Sequence, residues 1–161
     1  VNKPGNYELP VGTSAREIIF KHAGGVLGGR KLKAFIPGGA SSAPLPESLL
    51  DTPMDFKPLA AVGTMLGSGA LIVVSEKFSM REVARNVMGF FEDESCGKCS
   101  PCRIGCVKIN EMLDEPGKLS TSRTQLLSEL SDAVMQGSLC GLGMAAPNVV
   151  KGGLKHWSSD F

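Results

Sequence analysis

The chain has 161 residues, enough for one ordinary domain or two small ones, and 42% of them are hydrophobic, so a real core can be buried. A net charge of +1, with no basic stripe and no acidic tract, excludes an electrostatic grip on nucleic acid and a solvating tail. The longest apolar runs, such as Ala70–Val74, fall far short of the roughly 20 residues that span a bilayer, so no direct membrane insertion is expected. The start Val1-Asn2-Lys3-Pro4-Gly5 is turn-like, with no apolar leader behind it.

Residues 1–78 are rich in Gly and Pro and carry short β-like runs. Tyr7-Glu8-Leu9, between Gly5 and Pro10, reads as a first strand. Ser14 and Glu17 have capping-box spacing and open a helix whose apolar face is Ile18, Ile19 and Ala23. Leu32–Ile36 reads as a strand ending at Pro37-Gly38-Gly39. Residues 38–58 hold four Pro and many small residues and read as loop, and Ala70–Val74 as a buried strand. The order β, helix, β, loop, β suits a small sheet gripping one helix, an arrangement of the β-grasp type.

Residues 79–161 read as helical. Ser79-Met80-Arg81-Glu82 is a capping box, followed by Val83, Val87, Phe90 and Phe91 at helical spacing. A second helix follows Pro101, carries Ile104, Val107 and Met112, and stops at Pro116-Gly117. A third spans about Ser122–Gln136, with Leu126, Leu127, Leu130 and Val134 on one side and Gly137 at its end. A short last helix covers Pro147–His156. The predicted class is therefore α+β: a small β-grasp domain over 1–78, then a helical domain over 79–161.

The five Cys define the chemistry. Four of them lie within eleven residues, from Cys96 to Cys106, and the total is odd. A secreted disulfide scaffold spreads its Cys and uses an even count, so the clustering predicts reduced thiols, a cytoplasmic setting and a metal or redox site. Cys96, Cys99 and Cys102 recur every three residues. A tight loop puts three such thiolates around one centre if Gly97 takes a backbone conformation closed to other residues. Zinc sites usually draw Cys pairs from two separate knuckles, whereas C-x2-C-x2-C is the opening spacing of bacterial ferredoxins. Cys106 follows four residues on without the ferredoxin Pro. Cys140 lies in Ser138-Leu139-Cys140-Gly141-Leu142-Gly143, a Gly-bordered turn where backbone can approach a cluster. The turn, together with the resemblance described next, favours Cys140 over Cys106 as fourth ligand, and the plain reading of Cys106 is a small buried hydrophobe.

At these residues a family resemblance is visible. Glu94-Ser95-Cys96-Gly97-Lys98-Cys99-Ser100-Pro101-Cys102-Arg103 resembles the iron–sulfur signature of the NADH-binding flavoprotein subunits of complex I, of NAD-reducing and electron-bifurcating hydrogenases, and of NAD-dependent formate dehydrogenases. Ser138–Gly143 with Ala146-Pro147-Asn148 resembles the segment that supplies their fourth ligand. Lys3–Pro10 and Gly28–Gly39 resemble their soluble-ligand-binding β-grasp insert. The resemblance implies a [4Fe–4S] cluster on Cys96, Cys99, Cys102 and Cys140. It further implies that FMN and NAD(H) bind in an N-terminal part of the subunit that these residues lack. Its implied partners are a thioredoxin-like [2Fe–2S] subunit and a ferredoxin-rich large subunit. The implied place is the cytoplasm, or the cytoplasmic or matrix face of a membrane complex. The segment alone is not expected to be catalytic: no nucleotide fingerprint, catalytic triad or carboxylate pair in a motif context occurs.

Other residues admit plainer readings. Arg103 either raises the potential of a nearby cluster or is a surface residue at a helix start. Lys98 reads as solvated, and Ser100 as a hydrogen-bond donor to sulfide or a helix cap. The paired glycines at 24–25, 28–29 and 38–39 read as turns, His22 and His156 as structural or surface residues, and Trp157 as packing for the last helix. Three functions compete: an electron-transfer module, a zinc-stapled interaction module, and a ligand-binding β-grasp protein whose cluster is structural or regulatory.

Overall fold

Leu32–Ile36 becomes the central strand, β1, in the computed structural model, which describes residues 1–161. It pairs antiparallel with β2 (Leu45–Pro46) on one side and β3 (Ile72–Ser75) on the other. Along β3 the register slips: Leu32 faces Ser75 and Ala34 faces Val74, which leaves Lys33 as an extra residue. This bulge lets Leu32 and Phe35 share a face that strict alternation would deny them. Both join one core with Ala15, Ile19, Val26, Leu45, Leu50, Met54 and Leu59. The chain divides into two units, Val1–Phe78 and Ser79–Phe161, and this core belongs to the first.

Several local expectations need correction in this unit. Tyr7-Glu8-Leu9 is not a strand. The N-terminal segment bonds instead to the turn after the first helix, with Asn2 N donating to Gly25 O at 3.0 Å and Lys3 N to Ala23 O at 2.9 Å. Ser14 Oγ accepts the Glu17 N–H at 3.2 Å, as a cap should, but Glu17 turns its carboxylate to Lys21 at 2.6 Å. The helix over Glu17–His22 is wide: Ala23 N bonds back five residues to Ile18 O. Residues 38–58 are not all loop. They hold β2, a tight turn at Glu47–Leu49 and the start of α1 (Phe56–Ala61), capped by Asp55 through a 2.6 Å bond to Phe56 N. The prolines misled here because each occupies a place where its missing N–H costs nothing: Pro46 on an edge strand, Pro58 in the first turn of a helix.

The second unit is built from α2 (Met80–Asp93), α3 (Ser100–Asp114), α4 (Thr121–Gly137), α5 (Gly141–Ala145) and α6 (Asn148–Trp157). The capping box at the start of α2 is complete, with Glu82 N donating to Ser79 Oγ at 3.1 Å and Ser79 N to Glu82 Oε2 at 2.8 Å. Helix α2 packs on α3 and α6, and α3 on α4. The buried stripes are rotated from those the most apolar residues suggest. Helix α2 buries Met80, Ala84, Met88 and Phe91, leaving Phe90 exposed; α3 exposes Ile104 and buries Cys106, Ile109 and Leu113; α4 exposes Leu126 and buries Leu127 and Val134. Helix α5 occupies part of the segment that reads as a Gly-bordered loop.

One buried charge organises this unit. Arg81 is 9% exposed and donates to the carbonyls of Met112, Leu113, Glu115 and Gly117, at 3.2 Å and 2.9 Å for the first two. These carbonyls lie at and just past the end of α3, where they lack helical partners and where the helix dipole favours a cation.

Candidate metal centre

The turn between α2 and α3 carries the first cysteines. Gly97 has a φ of +74°, so the chain reverses there in a conformation that a side chain disfavours. Arg103 fixes the reversal from one turn inside α3: its Nη1 donates to Gly97 O at 2.7 Å and its Nη2 to Ser100 Oγ at 3.4 Å. Arg103 is thus a clamp on the cysteine turn, a third role beside the two read from sequence. Ser100 lies within α3 and accepts from Arg103, while Cys99 takes the cap position, with extended backbone at φ −99° and ψ 134°. Pro101 follows inside the first turn, where helices tolerate it.

Cys99 meets the other cysteine segment. Its thiol is held below the ordinary Cys value, first by the Leu139 backbone N–H and then by that of Cys102, against partial burial; the Ser138 hydroxyl beside it donates to Val134 O at 2.6 Å. Leu139 and Ser138 immediately precede Cys140, which starts α5 on extended backbone. Three glycines permit this approach. A Cβ on Gly105 would stand 2.2 Å from Val134 Cγ2, and one on Gly137 would stand 2.9 Å from Pro101 Cγ. On Gly143 it would stand 2.3 Å from Ser138 Oγ and 3.0 Å from Cys102 Cβ. The corner between α4 and α5 therefore presses on the first turn of α3, and the Cys96–Cys102 turn and the Cys140 turn share one end of the helical unit.

Exposure grades across the set. Cys96 and Cys140 are exposed, Cys99 is half-buried, and Cys102 and Cys106 are buried. Cys106 lies on the packed face of α3, as the small-hydrophobe reading expects. Its thiol bonds to Cys102, and burial first, then the charge on Cys102, push it up to about 12. Ser95 completes the surroundings. Its Oγ lies 3.3 Å from Cys102 Sγ and accepts the Gly97 N–H at 3.4 Å. Ser95 and Ser138 have no assigned role in the sequence reading; the available signal is a hydroxyl residue one or two places before Cys96 and Cys140.

The donor set can be tested against the groups it might hold. No three Cys, His, Asp or Glu side chains converge on the spacing of one metal ion. Four thiolates on zinc, each about 2.3 Å from the ion, would stand within about 4 Å of one another. A set of thiolates with no imidazole or carboxylate among them has the donor chemistry of an iron–sulfur cluster. The remaining candidates lie elsewhere or point away. His22 is 3.7 Å from Glu17 in the first unit, His156 meets Trp157 edge to face with ring centroids 5.6 Å apart, and Lys98 is exposed.

Comparison with known proteins agrees with this end of the molecule. Residues 82–161 match the family model described as the NADH-ubiquinone oxidoreductase-F iron-sulfur binding region, which goes with a [4Fe–4S] cluster. The whole chain is 43% identical to the NADH-quinone oxidoreductase F 2 subunit of Rhizobium meliloti (strain 1021), of which it covers 39%. It is 37% identical to the NADP-reducing hydrogenase subunit HndC of Solidesulfovibrio fructosivorans, of which it covers 33%. Among solved structures, NAD+-reducing [NiFe]-hydrogenase in the H2-reduced state superposes with a TM-score of 0.85 over 99% of this chain and 27% of that one, at 27% identity. The chain thus spans about two fifths, or less, of these relatives. It belongs to the family of the NADH-quinone oxidoreductase F subunits and the related hydrogenase subunits, and corresponds to the C-terminal part of such a protein.

Proposed function

We propose that Cys96, Cys99, Cys102 and Cys140 ligate the [4Fe–4S] cluster. In this reading the chain relays single electrons between FMN, held by a part of the subunit outside these 161 residues, and iron–sulfur centres beyond. The observation that carries the reading is the packing of the Ser138–Cys140 turn onto Cys99 and Cys102, which joins ligands 38 residues apart in sequence (102 to 140). When bound, the cluster takes up and gives back one electron at a time. The chain's own residues prepare the place for it. Arg103 and Gly97 fix the turn, backbone N–H groups meet the Cys99 sulfur, and Cys102 is screened from water.

The wider assembly follows the same reading. FMN held there would supply two-electron hydride exchange with NADH, and the cysteine site would pass the electrons on singly. The recipients are a thioredoxin-like [2Fe–2S] subunit and a ferredoxin-rich large subunit. The work takes place in the cytoplasm or on the cytoplasmic or matrix face of a membrane complex; no helix is long and apolar enough to cross a membrane. The first unit, with its small antiparallel sheet, serves as the β-grasp domain of the soluble-ligand-binding type.

The test is anaerobic purification, assay of iron and acid-labile sulfide, and EPR of the reduced protein. About four of each per chain are expected. Cys140→Ala should abolish the four-iron signal and Cys106→Ala should keep it. The reverse pattern would show that the ligand set is wrong.

A further inference from the structure

We propose that the Ser95 hydroxyl donates a hydrogen bond to the sulfur of Cys102 and so raises the reduction potential of the cluster, an inference that rests on the ligand set just given. The argument is one of proton accounting. Ser95 Oγ and Cys102 Sγ lie 3.3 Å apart, and with a free thiol either could donate. A hydroxyl has one proton and two lone pairs. One lone pair of Ser95 already receives the Gly97 N–H at 3.4 Å, so its proton remains for another acceptor. A ligand cysteine is a thiolate and has no proton to give. With Cys102 acting as a ligand, the contact therefore has a single direction, from Ser95 Oγ–H to Cys102 Sγ.

The surroundings make this bond matter. Cys102 is 5% exposed and Ser95 is half-buried, so water competes poorly, and a bond to a charged sulfur strengthens in low dielectric. Cys99 takes its donors from backbone N–H groups, which no side-chain substitution removes. Cys96 and Cys140 are exposed and meet water. Cys106 also bonds to Cys102, but a thiol is a weak donor. Ser95 is thus the strong side-chain donor to the most sheltered ligand. An added electron increases negative charge on the ligand sulfurs. A fixed donor stabilises that state more than the oxidised one, which raises the potential. The electron comes from an external reductant, no covalent bond forms or breaks, and the proton stays on Ser95. Ser95 is a positioning residue that acts through Cys102.

The experiment is an EPR-monitored redox titration of the full chain, loaded anaerobically with iron and sulfide, for wild type, Ser95→Ala and Ser95→Thr. Ser95→Ala should lower the ratio of reduced to oxidised cluster at fixed ambient potential about fivefold, a shift of about 40 mV to more negative potential for one electron, with iron content and g-values unchanged. Ser95→Thr keeps the hydroxyl and should titrate within a small fraction of that shift from wild type. Wild type exchanged into D2O should also show an exchangeable deuteron coupled to the cluster by ENDOR. If Ser95→Ala fails to hold the cluster, Ser95→Thr against the isosteric Ser95→Val decides the matter, since the valine variant alone should shift. An unmoved midpoint in Ser95→Ala, a threonine variant that shifts as far as alanine, or the absence of the coupled deuteron overturns this inference alone. A wild-type chain that binds no four-iron cluster overturns the ligand set with it.

Discussion

The first unit buries Phe35, Ile19, Leu45, Leu50 and Leu59 against a three-stranded sheet and contains no cysteine, whereas the second places Cys102 and Cys106 in one helical interior with Ile109, Leu127 and Val134. Each unit has about 80 residues, a size at which a hydrophobic core alone is marginal. The first meets this with polar ties across its long connections: Ser42 Oγ donates to Met65 O and Thr64 Oγ1 to Ala43 O, both at 2.8 Å. The second has a charged tie at one end, Arg81 on the carbonyls at the end of α3, and the cysteine turns at the other. A stapled surface loop is independent of any cofactor. On the proposed ligand set, the second core is closed at that end by four thiolates from two turns and is linked to what they bind, because binding to ligands scattered in the unfolded chain contributes directly to folding.

The largest expected effect breaks the symmetry between the units. Removing iron and sulfide should leave amide protection in residues 1–78 unchanged and collapse it in residues 96–157, as read by hydrogen exchange on holo and apo samples. Equal protection of α3 to α6 in both would show that the cluster serves electrons and adds nothing to structure. Next in size is Arg81→Met, which keeps an apolar stem and strands several carbonyls. It should cost about 2–4 kcal/mol in the helical unit, measured by chemical denaturation with probes in each unit, and leave the first unit's transition where it is.

The smallest effect concerns the first unit. Arg16 bonds Asp51 in a two-pronged pair, Nε to Oδ1 at 2.7 Å and Nη2 to Oδ2 at 3.0 Å, and this holds the Asp51 carboxyl below its ordinary value. A depressed folded value means that the stabilisation is present above the unfolded carboxylate pKa of about 3.9 and fades as pH falls through the folded one. Both side chains are exposed, so the gain is small and screened by salt. Stability curves of wild type and Asp51→Asn should therefore lie slightly apart at neutral pH and merge in acid. A gap that widens on acidification would contradict the pairing.

Legibility followed the range of the interactions. The capping box at Ser79 and Glu82 was readable because both of its hydrogen bonds close within four residues. The strand at Leu32–Ile36 was readable as an apolar run between turn residues, but its bulge was not, since register depends on Ser75 and Val74 some forty residues away. The four long helices of the second unit were placed correctly and their faces in part: Phe91, Met112, Leu127 and Val134 are buried as read. Phe90, Ile104 and Leu126 look like core residues by hydropathy, yet the neighbours of α2, α3 and α4 select adjacent stripes. Pro58 hid α1 because a proline in a first turn and a proline that breaks a helix are the same letter.

At the cysteine site the sequence by itself determined the chemical character: thiolates at three-residue intervals, a glycine for the reversal, and a distant Gly-bordered cysteine. Those are properties of residue type and short spacing, which survive without knowledge of the fold. Only tertiary structure decided that Gly105, Gly137 and Gly143 let two distant turns meet, that Arg103 clamps Gly97, and that Ser95 reaches Cys102. The reason is physical: close approach depends on what the facing element leaves empty, and a linear pattern records each element's own side chains but not the space opposite them.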